Sequence, residues 1–184
     1  MARTTTRTAR RAQTALDLLK ADHAEVKKLF QLFEKFKKSE DTDGMQQIAQ
    51  TICKELRIHA QIEEEIFYPA LREAGDADDA LDEADVEPSH VKELVAQIAN
   101  SEAGDGLFEA RVKVLSDYVQ HHVEEEESTI FSKARKADFD LVSLGQQLES
   151  RKAELSGEEP AIDVPALAGR PKATQTRNGQ RAKR

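Results

Sequence analysis

Across 184 residues, 39% hydrophobic and 34% charged side chains describe one globular domain with a core of its own, which excludes a disordered chain and argues against two domains. Eight glycines, five prolines, 5% aromatics and no tryptophan, beside stretches rich in Ala, Leu, Glu, Lys and Gln, predict an all-α fold. No run approaches the ~20 apolar residues of a membrane span, no apolar secretory leader is present, and a lone Cys53 excludes an intrachain disulfide, so a cytoplasmic protein without membrane contact is expected.

The net charge of −8 conceals a split. Arg3, Arg7, Arg10 and Arg11 lie in an acid-free 1–11, and six basic residues lie in an acid-free 170–184, so the 158 residues between hold 17 basic and 35 acidic groups, or −18. Solvated disorder is preferred for these ends over electrostatic contact with nucleic acid or another acidic surface. The Arg- and Thr-containing start also has transit-peptide character, but Leu16, Leu18 and Leu19 fit the first core helix. The expected organisation is a flexible basic N-terminus over 1–12, a folded unit over 13–156, and a disordered basic tail over 157–184.

Gly44, Gly75 and the Gly104/Gly106 pair divide the folded unit into segments of about thirty residues. Long helices are predicted over 13–39, 44–74, 78–102 and 106–136, with Asp43, Asp76 and Asp105 near the later N-caps. The short connections make neighbours antiparallel, an up-down-up-down four-helix bundle. A shorter fifth helix over 138–155 carries Leu141, Leu144, Leu148 and Leu155 in helical register. Pro69 and Pro88 fall inside predicted helices and should kink or interrupt them.

Each helix has an apolar stripe at spacings of three and four. The first runs Leu16, Leu19, His23, Val26, Phe30, Phe33, and the second Ile48, Ile52, Leu56, His59, Glu63, Ile66, Ala70. The third runs Val86, His90, Leu94, Ile98, and the fourth Phe108, Val112, Leu115, Val119, His122, Glu126, Ile130. Four of the five histidines and two glutamates therefore sit on inward faces. The segment HAQIEEEIFYPALR from His59 aligns without a gap with HVEEEESTIFSKAR from His122, so an offset of 63 residues marks a duplicated helix pair.

A carboxylate carried into an apolar bundle without a partner costs several kcal/mol, at least ~2, or takes up a proton. Any one inward histidine is better read as a satisfied core residue. The joint pattern, with ligand types from all four walls, reverses that and points to a dinuclear metal site. Imidazole and carboxylate without thiolate suit iron or manganese, and zinc as well. The arrangement expected is two His on each metal, Glu63 and Glu126 bridging, and an oxide or hydroxide completing the bridge. A coordination position then stays open for dioxygen, peroxide or nitric oxide. A metal-free structural bundle is the alternative, and it predicts that His59→Ala or Glu63→Ala leaves metal content unchanged.

The ordered set His, His-x-x-x-Glu, His, His-x-x-x-Glu, with the segments LLKADHAEVKKLF, HAQIEEEIFYPALRE and HHVEEEESTIF, resembles the hemerythrin-like, cation-binding HHE domain over roughly residues 14–136. The resemblance implies a non-haem di-iron site, two iron ions held by His23, His59, Glu63, His90, His122 and Glu126. One departure matters. Members closest to the oxygen-carrying hemerythrins bring a further ligating His four residues after the third-helix His, and this chain has Leu94 there. That weakens oxygen carriage and favours reactivity, such as peroxide decomposition or nitric oxide chemistry, or sensing. His121 lies about 100° round the helix from His122 and is a poor replacement ligand, while Tyr118, one turn before His122, is read first as an aromatic packing residue and second as a supporting donor to the pocket. The flanking Glu64, Glu65, Glu124, Glu125 and Glu127 read as a solvated face rather than as ligands, with the alternative that some of them orient the site from outside. No nicotinamide or flavin fingerprint is present, so reducing electrons would come from a separate donor. A second class of function is a metal-responsive signalling protein acting through its basic tails without turnover.

Overall fold

The computed structural model describes residues 13–75, 81, 88–137 and 140–158. Both basic ends, and the expected start of the third helix with Asp76 and Val86, lie outside the described residues. In chain order the elements are α1 (Ala15–Lys38), α2 (Thr42–Ile62), a π-helical turn π1 (Glu63–Phe67), α3 (Tyr68–Glu73), α4 (Pro88–Ala99), α5 (Phe108–Glu125), a second π-helical turn π2 (Glu126–Ile130), α6 (Phe131–Ala134) and α7 (Leu141–Glu158). Four walls result: α1, the continuous α2–π1–α3, α4, and the continuous α5–π2–α6. The fifth helix, α7, packs along α1 and α2.

Local chemistry sets the ends. Thr14 caps α1 in a reciprocal box, its hydroxyl accepting from the Asp17 N–H at 3.2 Å while Asp17 accepts from the Thr14 N–H at 3.1 Å. The N-cap of α2 is Asp41 rather than the expected Asp43, accepting from the Gly44 N–H at 2.9 Å. A Cβ on Gly44 would meet the Phe36 ring at 2.5 Å, so glycine here lets α1 and α2 meet closely at their turn. Asp105 also fails to cap. It closes the preceding turn, accepting from the Glu102 N–H, and Leu107 stands at the N-cap of α5.

Two apolar clusters carry the fold. One joins Leu16 and Leu19 to Phe67, Leu71, Phe131 and the α7 leucines Leu144, Leu148 and Leu155. The other joins Val26 and Phe33 to Ile48, Ile52, Ile98, Phe108 and Leu115. Fully burying side chains of this size stabilises by roughly 1.5–3 kcal/mol each before chain entropy is charged. On α1 the first cluster ends at Leu19 and the second begins at Val26, with His23 between them. His59 and Glu63 fall at the same level of the second wall, and His122 and Glu126 at that of the fourth. The inward His and Glu residues thus form a polar layer between two apolar blocks.

The two π turns account for a difference from the predicted stripes. Each contains an i→i+5 hydrogen bond, Tyr68 N–H to the Glu63 carbonyl and Phe131 N–H to the Glu126 carbonyl, and adds one residue to the turn. The buried face past Glu63 consequently moves on by one, to Phe67, Tyr68 and Leu71, and leaves Ile66 and Ala70 only partly buried. In the second copy Phe131 and Ala134 become fully buried in the same way. The turns obey the 63-residue offset, Glu63–Phe67 against Glu126–Ile130. Pro69 follows the first and its counterpart Ser132 follows the second, so proline is not what creates the π turn. Pro88 begins the described part of the third wall.

Candidate metal centre

His23, His59, Glu63 and Glu126 meet at the middle of the bundle, each buried, each offering a ligand atom within 4.8 Å of all the others. His59 Nε2 lies 3.1 Å from Glu63 Oε1, His23 Nε2 lies 3.1 Å from Glu126 Oε2, and the two Nε2 atoms are 3.2 Å apart. The i, i+4 spacing places each His and its Glu on one helical face, and the π turn begins only at the Glu, so it redirects the chain beyond without disturbing the pair.

The outer ring nitrogens face carboxylates. Glu127, half-buried and paired also with Lys20 at 3.2 Å, lies 3.0 Å from His23 Nδ1. Asp22 Oδ2 faces His59 Nδ1 at 3.7 Å, and Asp22 Oδ1 is held by Lys152 of α7 at 2.5 Å. Carboxylates at Nδ1 favour the tautomer that keeps the proton there and turns the Nε2 lone pair inward, the orientation a metal-binding imidazole needs. Phe131 stacks on His23 at 5.9 Å between centroids and only 4° between planes, fixing the ring from its other side.

Two inward lone pairs at 3.2 Å and two buried carboxylates call for positive charge between them. Glu63 Oε1 and both oxygens of Glu126 are buried without a partner in hydrogen-bond geometry, despite their close approach to the imidazoles. Without a cation, protons fill the role. Burial opposes a charge on His59, but Glu63, Asp22 and Glu126 outweigh it and push the imidazole up to about 10. Burial, and then the charge of Glu63, push Glu126 up to about 7, with His23 opposing. Burial would raise Glu63 as well, but His59 beside it holds it below its ordinary value. The donor set, two nitrogens and the unpartnered oxygens of two carboxylates, fits a cation of the iron, manganese or zinc kind.

The other two expected ligands stand apart from this cluster. His90 is exposed and His122 half-buried, and both line a cavity of about 250 Å³ against which His23, His59 and Glu63 also lie. Val91 and Val119 give that cavity apolar walls, and Tyr118, 46% exposed, stands at its edge. His121 is not among the lining residues. It is exposed, with Nε2 3.3 Å from Glu125.

Two residues enter the site that the sequence did not single out, Asp22 and Tyr68, and Glu127 is the one of the flanking acids that orients His23. Tyr68 is buried in the cavity wall, and burial together with the charges of Glu63 and Glu126 drives its phenol far above the ordinary range, so it stays protonated and can donate toward Glu63. The remaining acids of the run behave as a solvated face: Glu64 pairs with Lys92, Glu65 with Arg151, and Glu124 with Gln120.

Comparison with known proteins agrees with this fold. A profile of the Hemerythrin HHE cation binding domain matches residues 14–134. The crystal structure of a Hemerythrin HHE cation binding domain-containing protein from Mycobacterium kansasii superposes with a TM-score of 0.66, covering 79% of this chain and 88% of that one at 21% identity, which supports the fold. A DNA nickase of a Nostoc species is 35% identical over 122 residues, 65% of this chain but only 33% of that protein, so the present chain spans about a third of this relative's length. With the profile covering nearly all of the four walls, the chain belongs to the Hemerythrin HHE cation binding domain family.

Proposed function

We propose that this protein holds a pair of iron ions with His23, His59, Glu63, His90, His122 and Glu126, and that the pair binds or reacts with dioxygen, peroxide or nitric oxide. The observation that carries the reading is the set of buried, unpartnered carboxylate oxygens facing two oriented imidazoles, next to a cavity that carries two more. Iron would supply reversible one-electron chemistry and an acidic site for a small ligand. The chain's own part is separate. Asp22 and Glu127 orient His59 and His23, and Val91 and Val119 give the cavity apolar walls. Tyr68 holds a proton beside Glu63, where charge changes on ligand binding. At about 250 Å³ the cavity is below the roughly 300–1,000 Å³ of pockets for organic ligands, which favours a small ligand over an organic substrate.

Metal analysis of protein purified from iron-supplemented cells tests the reading, together with optical spectra before and after dithionite and then azide or peroxide. Near two irons per chain, with near-ultraviolet bands that bleach on reduction and shift with azide, are expected. A protein that stays free of iron after anaerobic reconstitution, or carries two zincs with no azide response, defeats the redox reading.

A second reading is supported by the segregated charge: the acid-free basic ends suit contact with a polyanion, and one relative is named for action on DNA. In that case the bundle would report metal or oxidant status to a partner without turnover. Removing residues 1–12 and 159–184 separates the readings, because ligand spectra should survive the truncation whereas salt-sensitive DNA binding should not.

A further inference from the structure

Among the described residues three large apolar side chains are exposed, Leu107 at 61%, Val114 at 44% and Tyr118 at 46%, and all three belong to α5 and its N-cap. Exposed apolar residues scattered singly carry no message, but these are spaced seven and four apart and so share one face of the helix. That face is continuous. Leu107, Arg111, Val114, Tyr118, His121 and Glu125 follow one another at alternating spacings of four and three, the pattern of a helix that packs along another helix. Beside the stripe, Lys113 pairs with Asp117 and Gln120 with Glu124, so those polar groups are satisfied within α5.

Charge orders the stripe as well. Arg111 stands in its first half and Glu125 at its end, with His121 Nε2 3.3 Å from Glu125. Two copies laid parallel would set Arg111 against Arg111 and Glu125 against Glu125. Laid antiparallel about a two-fold axis at the level of Ser116, they set Val114 of each copy on Tyr118 of the other and Arg111 against the His121–Glu125 pair, while Leu107 packs on the Glu125 stem. All six residues are used, twice over. We propose that this face of α5 is the contact of a two-fold homodimer. The inference stands apart from the metal-pair reading. Tyr118 also lines the cavity of about 250 Å³, so the second copy stands at its rim. One helix face about 27 Å long is a small contact, so a reversible dimer with a dissociation constant on the order of 1–100 µM is expected.

The test is sedimentation of the full-length protein from ~1 to ~500 µM, a range that brackets that constant. Passage from monomer to dimer is expected. Val114→Asp, at an exposed position where folding is little affected, should weaken association ~10-fold or more with the thermal midpoint unchanged. Arg111→Glu and Glu125→Arg should each weaken it by ~10-fold as well, because each sets like charges across the axis twice. Mixed together, these two variants should associate as tightly as the wild type, since both cross-axis pairs of the mixed dimer again join opposite charges. That recovery is a signature of the antiparallel contact, which loss of stability alone would not produce. A protein that stays monomeric throughout the range overturns the inference. A dimer indifferent to Val114→Asp, which places the contact on another face, does so too, as does a mixture of the charge variants no tighter than either alone.

Discussion

Lys152→Met removes a cation from the far end of the site without touching an expected ligand. Asp22 is only 9% exposed, its Oδ1 is held by Lys152 at 2.5 Å, and its other oxygen faces His59 at 3.7 Å without hydrogen-bond geometry. Breaking a fully buried ion pair from one side costs about 3–5 kcal/mol, because the remaining charge is stranded. Two features reduce that here. The Lys152 side chain is 27% exposed, so water screens the pair, and His59 remains as a second counter-charge. The metal-free variant should therefore lose about 2 kcal/mol, and with a urea dependence near 2 kcal/mol per molar its midpoint should fall by about 1 M. Asp22→Asn combined with Lys152→Met should cost less than Lys152→Met alone, since no charge is left stranded. Arg151→Met on the same helix, breaking an exposed pair with Glu65 that is comparably short, should barely move the midpoint. Equal, small shifts for Lys152→Met and Arg151→Met would refute the claim that burial decides which contact matters and that α7 supports the site through Asp22.

Three further outcomes follow from the same geometry. Gly145→Ala would put a Cβ 2.8 Å from the Ala15 nitrogen and the Thr14 carbonyl carbon, where α7 crosses the start of α1, so thermal melting should show a loss of about 1–3 kcal/mol. Cys53, buried and pushed up to about 11 by burial despite the nearby Arg57, should not react with a disulfide reagent at pH 8 until urea unfolds the chain. Because its folded value lies above the unfolded one, its contribution to stability is complete below the unfolded value and is lost as pH rises through about 11. Loading metal at pH 7 should release between about one and two protons, all of one from His59 and part of one from Glu126, measured by calorimetry in buffers of different ionisation enthalpy. Apparent affinity should accordingly rise with pH through neutrality, and a pH-independent affinity would contradict the proton-filled site.

The fold was legible because helix periodicity and glycine punctuation act locally. The segments flanked by Gly44, Gly75 and the Gly104/Gly106 pair became the four walls, with α4 shorter over its described part than predicted. His23, His59, Glu63 and Glu126 were legible because they interrupt apolar stripes, where only a compensating partner makes them tolerable. Asp22 carried a signal too, since it lies four residues before Val26 and next to His23, on the edge of the inward face. Glu127 was legible only as one of several flanking acids able to orient the site, as a run of acids from Glu124 onward gives no hint which one turns back to a histidine. Tyr68 was hidden by the π turns. A stripe extrapolated from α2 at spacings of three and four runs through Ile66 and Ala70, and only the residue added after Glu63 moves Tyr68 inward.

The repetition of the π turn at both Glu residues bears on what the turns are for. A plain α-helix carrying His59 and Glu63 already presents both to the bundle centre, so the turn is not needed to form the pair. Past the Glu it has a distinct effect, bringing Phe67 and Phe131 fully inside, edge to face at 5.9 Å, where they close the layer from the α7 side. A carboxylate that must face charge on one side thus has aromatic packing directly beneath it, which holds water away from its unpartnered oxygens. Apolar blocks above and below make the fold independent of any one ligand, and this is why His59→Ala should leave a folded bundle while altering its metal content. The polar layer can be tuned because the packing that sustains the bundle lies elsewhere.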